Sequence, residues 1–378
     1  MKFGIFLPPY HALNENPAAA LDRDIALLAH LDWLGFDEAW IGEHHSGGFE
    51  IIASPELFIA SVAPRTRRIR LGTGVVSLPY HHPLMVADRM MLLDHLTKGR
   101  AMFGMGAGVL ASDAAQMGIS PADQRRMMVE GMEAVIRLLR GEIVSMETDW
   151  FSLREARVHL PAYSDSGIEM AVACARSPAG ALAAGKWGIP MLAIGGSSPD
   201  SLKFHLTNWQ IYAECARENG HEPDRSRWRM GSLMHLAETR ERALDNVRFG
   251  LVPWARYLKE VTSFEFVPPD SPDPAGYVVE HGVGIIGTPD DAIRHIEQLL
   301  HGTGGFGVHL DFAHNWADWG NTKRSYELFA RYVIPHFKGT LQSRRASYDF
   351  CVDHRESFAA ATTEAIQVAN RIVRTKPD

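Results

Sequence analysis

The sequence predicts a mixed α/β fold, a (β/α)8 TIM barrel with insertions, on three observations. Short apolar runs bounded by Gly and Pro alternate with stretches of helical period. Eight such runs can be traced, and 378 residues suit one barrel with added segments better than two separate domains. An open doubly wound sheet is the competing arrangement.

The elements follow in order. Residues 2–7 read as a buried strand ended by Pro8-Pro9, and 17–34 as a helix with the apolar face Leu21, Ile25, Leu28 and Ala29. Asp22 and Asp24 stand in its first turns, where the helix dipole favours anions. A strand over 36–42 precedes a helix over 54–63 opened by Ser54-Pro55-Glu56. A third strand, 69–77, leads to a helix over 83–97 that starts on Pro83 and stops before Gly99. A fourth strand covers 101–105, a loop 106–120 and a strong helix 121–140. The alternating pieces of 143–160 read as an exposed hairpin. The rhythm resumes with strand 168–174, helix 178–187, strand 189–194, helix 199–219, strand 227–237 and a long helix 238–260. Helix 289–301, strand 306–312 and helix 321–335 complete the set. The Pro- and Gly-rich stretch 262–284 is a long irregular loop, of the kind that covers binding sites. The expected division is a barrel domain over 1–338 and a partly helical C-terminal extension over 339–378.

Composition excludes several classes. An apolar content of 46% rules out a disordered chain, and 45 acidic against 38 basic side chains argues against a general nucleic-acid binder. Cys174, Cys215 and Cys351 are scattered and odd in number, which supports neither a disulfide framework nor a zinc site. The N-terminal apolar run is too short for a signal peptide, and no other stretch approaches a bilayer-crossing length. These readings lead to the expectation of a soluble, cytoplasmic protein that binds neither membrane nor nucleic acid.

Barrels of this type place chemistry at the carboxyl ends of their strands. The second strand ends in Glu43-His44-His45, the third in Ser77-Leu78-Pro79-Tyr80-His81-His82-Pro83, and Tyr10-His11 follows the first. Histidine is suited to moving protons near neutrality, so the gathering points to acid–base work. A shared metal is disfavoured because consecutive residues on an extended segment point to opposite sides. Gly104, Gly106 and Gly108 let a flat ligand approach the fourth strand end, and Gly72 and Gly74 allow the same reading or mark a bulge. Ser177-Pro178 opens a helix and, with Arg176, forms an anion site in principle; an ordinary helix cap explains the dipeptide equally well. Met85, Met105, Met191, Trp187 and Pro8-Pro9 suggest an apolar pocket, although such residues are often plain core.

Several separated motifs then resemble one family. Gly35-Phe36-Asp37-Glu38-Ala39-Trp40 through Glu43-His44-His45 is similar to the bacterial luciferase-like flavin monooxygenases, as is Arg68-Ile69-Arg70-Leu71-Gly72-Thr73-Gly74-Val75-Val76 with His81-His82-Pro83. Asp94-His95-Leu96-Thr97-Lys98-Gly99-Arg100, Ile286-Gly287-Thr288-Pro289 and the run Arg324 to Pro335 agree, over roughly 1–338, and the likeness is strongest to the limonene-monooxygenase-like branch.

The resemblance implies a two-component monooxygenase. Reduced FMN, with FAD the lesser choice, would react with O2 through a C4a-(hydro)peroxyflavin and oxygenate a small apolar organic substrate. A separate NAD(P)H:flavin reductase would supply the reduced flavin, and the protein would be a homo-oligomer. His44 matches the catalytic histidine, with His82 as a second catalytic candidate. Gly74, Val75 and Val76 match a segment under the ring where a non-proline cis peptide is frequent. Gly106 and Ala107 match backbone positions near ring and phosphate. Ala107 stands where luciferase has a phosphate-contacting arginine, so Arg176, Ser177 and Gly180 are the phosphate candidates here. His11, His81 and Met105 are substrate-pocket candidates, no metal is expected, and 262–284 falls where luciferase has its lid. Rival readings are a deazaflavin-dependent hydride-transfer oxidoreductase of the same fold, a metal-dependent hydrolase barrel and a non-catalytic flavin-binding protein.

Overall fold

Strand and helix alternate along the chain in a computed structural model that describes residues 1–8, 10–262 and 264–374. The strands are β1 (Lys2–Leu7), β2 (Glu38–Ile41), β3 (Arg70–Thr73), β4 (Val76–Ser77), β5 (Ala101–Gly106), β6 (Val144–Glu147), β7 (Ser152–Ala156), β8 (Glu169–Cys174), β9 (Met191–Ala193), β10 (Arg229–Leu236), β11 (Gly284–Gly287) and β12 (Val308–Phe312). β1, β2, β3, β5, β8, β9, β10 and β12 pair in parallel in that order, and β12 pairs back onto β1, which closes the barrel. The open sheet is therefore excluded. β6 and β7 form the expected antiparallel hairpin outside the ring.

Several segments differ from the sequence reading, among them 106–120, read as a loop, which contains the helix Ala111–Gln116. The third strand is interrupted at the cis Gly74–Val75 peptide, after which β4 pairs with β5. The long helix over 238–260 is broken into Arg240–Asn246 and Leu251–Tyr257, followed by a wide π-type turn over Leu258–Thr262. The break falls at Gly250, where a Cβ would lie 1.7 Å from the Asn315 carbonyl oxygen, so the loop after β12 crosses too closely for a continuous amphipathic helix. The described part of 262–284 is not wholly irregular either, since it contains the helix Pro274–Glu280 and leads into β11, which pairs with the carboxyl half of β10.

The amino ends of the strands are sealed by charge. Glu38, Arg70, Glu169 and Arg229 are the first residues of β2, β3, β8 and β10. The buried Arg229 donates to Glu38 through Nε (2.8 Å) and Nη2 (3.1 Å), and through Nη2 to Glu169 (2.5 Å), whose other oxygen pairs with Arg70. Burial alone would raise the Glu169 pKa, but Arg229 and Arg70 outweigh it and pull it down to about 2. Above this layer Trp40, Phe6, Met102, Ala171, Leu192, Val308 and Leu310 fill the interior. Gly72 exists for Trp40: a Cβ there would sit 2.7 Å from the indole. With the floor filled, only the carboxyl ends of the strands are left to form a site.

Residues Met1–Val333 form one compact unit and Ile334–Asp378 a second. Helices Ile334–Lys338, Gln342–Asp353 and Arg355–Arg374 make up the described part of the second. Among the described residues no helix is long and apolar enough to cross a membrane.

Candidate active site

A cavity of about 540 Å³ opens at the carboxyl ends of the strands, lined by residues that end or follow β1, β2, β3, β5, β8, β9 and β12. His44 stands in its wall with both ring nitrogens facing carboxylates. Its Nδ1 lies 3.1 Å from Asp113 Oδ2 and its Nε2 lies 3.2 Å from Glu50 Oε2. Asp113 comes from the short helix Ala111–Gln116, and its other oxygen accepts from the His45 backbone N–H (3.0 Å) and the Ser46 hydroxyl (2.5 Å). Burial opposes a charge on the imidazole, yet Glu50, Asp113 and Glu43 outweigh it and hold the His44 pKa above the ordinary histidine value. Burial likewise pushes Asp113 up, but its bonds to His44 and Ser46 bring it below the usual carboxylate range. Each nitrogen of the ring thus has a carboxylate oxygen within hydrogen-bonding range.

The neighbouring residues do different work. Glu43 and His45 point to the other side of the segment, as alternation requires, and His81 joins them: Nε2 of both histidines donates to Glu43 Oε1 at 2.7 Å. The other Glu43 oxygen accepts from the Ser77 N–H (2.9 Å), which ties the segment after β2 to the end of β4. Glu43, His45 and His81 lie close enough for a three-ligand metal site. Their chemistry is against it. The Arg89 guanidinium donates to His81 Nδ1 (3.2 Å), so that nitrogen is the acceptor and Nε2 carries the proton a metal would displace.

The cavity lining is chemically mixed. Arg125, Arg176 and Ser177 stand by the start of the helix Ala179–Trp187, with Arg125 Nε donating to Ser177 Oγ at 3.3 Å. Gly180 lets that helix approach β8, because a Cβ would lie 2.3 Å from the Ala173 carbonyl oxygen. Three cationic or hydroxyl donors at a helix N-terminus suit a phosphate. Phe6, Leu233, Trp254, Phe266 and Phe312 add apolar surface, and Phe264 lies under the Arg176 guanidinium, 5.1 Å from its ring centroid. Gly74, Gly106 and Ala107 also line the cavity, with the Val75 side chain packed on Gly106.

The model of the family described as luciferase-like monooxygenase matches residues 1–305. The chain belongs to that family. It is 43% identical to limonene 1,2-monooxygenase of Rhodococcus erythropolis, over 98% of this chain and 95% of the relative. It is 44% identical to 4-hydroxyprotoasukamycin monooxygenase of Streptomyces nodosus subsp. asukaensis, over 96% and 99%. The FMN complex of the oxygenating constituent of 3,6-diketocamphane monooxygenase from Pseudomonas putida superposes with a TM-score of 0.75 at 26% identity, covering 89% of this chain and 98% of that one. The protein is accordingly a monooxygenase of the luciferase-like family.

Within this luciferase-like site, the structure gathers His44, Gly74, Val75, Gly106, Ala107, Arg176, Ser177 and Gly180 around the cavity. It does not bring the remaining candidates there. Val76 is buried in β4 and pairs with Met105, one step out of phase with Val75. Met105 is buried away from the cavity, because alternation along β5 turns Gly104 and Gly106 to the barrel interior and Met105 outward. His11 is buried behind the wall, with Nε2 2.8 Å from Asp24, so Asp24 serves that pair rather than the helix dipole. His81 belongs to the Glu43 network, and His82 is exposed against Phe151 at the start of helix Pro83–Thr97. Gly72 and Gly104 face Trp40 rather than a ligand. Met85 is exposed, Met191 is buried in β9, and Trp187 lies beneath the Arg140 guanidinium; of the proline pair Pro8 lines the cavity and Pro9 lies outside the described residues. Glu50, Asp113, Arg125, Gln124 and Tyr257 were missed. None sits at a strand end, and only the basic pair Arg125-Arg126 carried a local signal.

Proposed function

We propose that this chain is the oxygenating component of a two-component system, using reduced FMN and O2 on a small apolar substrate. Reduced flavin comes from a separate NAD(P)H-dependent reductase, the protein is a cytoplasmic homo-oligomer, and residues 1–338 carry the activity. The observation that carries the reading is His44, with a carboxylate at each ring nitrogen, in the wall of one cavity whose lining also holds Arg125, Arg176, Ser177 and several aromatic rings. Arg125, Arg176 and Ser177 fit the phosphate of FMN, and the backbone at Gly74, Val75, Gly106 and Ala107 fits its ring.

Reduced flavin supplies the electrons that activate dioxygen. The chain's residues govern the proton and the water. His44 Nδ1–H is committed to Asp113, whereas Glu50 Oε2 makes no full hydrogen bond, so the Nε2 proton is the available one. A proton held there favours electrophilic transfer of oxygen to a carbon–carbon double bond or C–H bond over attack on a carbonyl. Phe264, Phe266, Trp254 and Phe312 exclude water from the surface they line, which suppresses wasteful release of hydrogen peroxide. The test is to mix the protein, loaded with chemically reduced FMN under anaerobic conditions, with oxygen and a panel of cyclic alkenes and ketones. Oxygenated product from an alkene, with little free peroxide, is expected. Turnover only with a reduced deazaflavin under anaerobic conditions would overturn the reading.

A further inference from the structure

One line of contacts leads from His44 to the segment that covers the cavity. Helix Leu251–Tyr257 ends on Tyr257, and the chain immediately after it supplies Leu258, Thr262, Phe264 and Phe266 to the cavity lining. Tyr257 is buried against Tyr10 (5.3 Å between ring centroids) and Phe49 (4.8 Å), and its hydroxyl donates to Glu50 Oε1 at 2.5 Å. The second oxygen of this buried carboxylate, Oε2, has no hydrogen-bond partner and faces His44 Nε2 at 3.2 Å. A buried carboxylate with a single donor depends on that donor for its orientation and to offset its burial. Val261 of the same segment closes over Gly47, where a Cβ would lie 2.7 Å from it, so the covering turn is seated directly on the loop that carries Glu50.

We propose that Tyr257 is a positioning residue that, by donating to Glu50, holds this carboxylate beside His44 Nε2 and so ties the covered cavity to the proton held on His44. The inference rests on the monooxygenase reading for its purpose. With the segment seated, the proton stays on Nε2 where oxygen transfer needs it. When Tyr257 is withdrawn, Glu50 loses the donor that holds it in place, and His44 is left with one fixed flanking carboxylate, that of Asp113, in place of two. The other titratable groups near His44 stay where they are: Asp113 from helix Ala111–Gln116, Glu43 and His45 on the far side of its own segment, and Tyr10 behind Tyr257. Among them, the link through Tyr257 alone belongs to the covering segment.

The experiment is a pH titration of the His44 ring nitrogens by long-range ¹H–¹⁵N NMR on the full-length, flavin-free protein, with the signals assigned by their loss in H44Q. Y257F removes one hydroxyl and keeps the ring packing; E50Q removes the anion. The midpoint in the unsubstituted protein is expected above that of an ordinary histidine, and each variant should lower it by about one pH unit, about tenfold in proton affinity. An unchanged midpoint in Y257F alongside a lowered one in E50Q would reduce Tyr257 to packing and overturn the proposal. An unchanged midpoint in both would show that Glu50 does not hold the charge, and would overturn it as well. The remaining histidine signals report whether each variant is folded. Because the titration uses no flavin, a protein that shows the shift but oxygenates nothing sinks the functional reading alone, and the converse result sinks only this one.

Discussion

Acidification is expected to unfold this protein through histidines far from its cavity. His235, His295 and His309 are buried, with neutral partners: Asn246 Nδ2 at 3.2 Å, Ser197 Oγ at 3.2 Å and Ser232 Oγ at 2.8 Å. Burial lowers their pKa values to about 4, about 4 and about 3. Below pH ~6.5 the unfolded chain binds protons at these three sites while the folded chain does not, so stability is full above that value and falls as the pH drops towards 4. Each site contributes ~1.4 kcal/mol per pH unit, which makes ~4 kcal/mol per unit for the three and roughly 8 kcal/mol between pH 6.5 and 4.5. That is comparable with the whole stability of an ordinary domain, about 5–15 kcal/mol. His44 and His45, whose pKa values are raised, add no loss in this window, since both states are protonated there. Urea midpoints measured at half-unit pH steps give the slope directly. In H295Q the slope should fall by ~1.4 kcal/mol per pH unit, the share of one proton-linked histidine. A flat profile from pH 6.5 to 4.5, or native-state titration of these rings near 6.5, would refute the reasoning.

Three further outcomes test the site and its scaffold. H44A should lower coupled oxygenation by ~10²-fold or more and raise peroxide release, whereas H82A, at an exposed ring on Phe151, should leave both unchanged in steady-state product and peroxide assays. Substituting Arg125 or Arg176 by Ala should weaken FMN binding by about tenfold or more, measured by fluorescence quenching, and leave riboflavin binding unaltered because riboflavin has no phosphate. R229M strands the buried Glu38 and half-buried Glu169 and should cost about 3–5 kcal/mol in denaturant titration, without moving the His44 titration at the opposite end of the barrel.

Local pattern reached furthest where burial and chain direction coincide. The run Phe3-Gly4-Ile5-Phe6-Leu7 and the Pro83-opened helix were legible because their neighbours in sequence are their neighbours in structure. The split at Gly250 was not, since it answers to the Asn315 carbonyl some sixty-five positions away. The same contrast holds in the site. His44 was visible from its place after the second strand, and alternation correctly separated it from Glu43 and His45. Treating the other histidines at that end as equivalents failed, because His11, His81 and His82 each take a different partner: Asp24, Glu43 and the Phe151 ring.

By itself, then, the order of residues determined the closed barrel and placed His44 just after its second strand, at the carboxyl end where the cavity opens. These depend on period, turn residues and strand ends, all of which are short-range properties of a chain. The tertiary structure alone decided what that histidine is. Asp113 and Glu50 reach it from segments with no motif of their own, and Tyr257 reaches Glu50 from a helix more than two hundred positions away. A charge is set by the sum of everything within a few ångströms, whatever its distance along the chain, and only folding performs that sum.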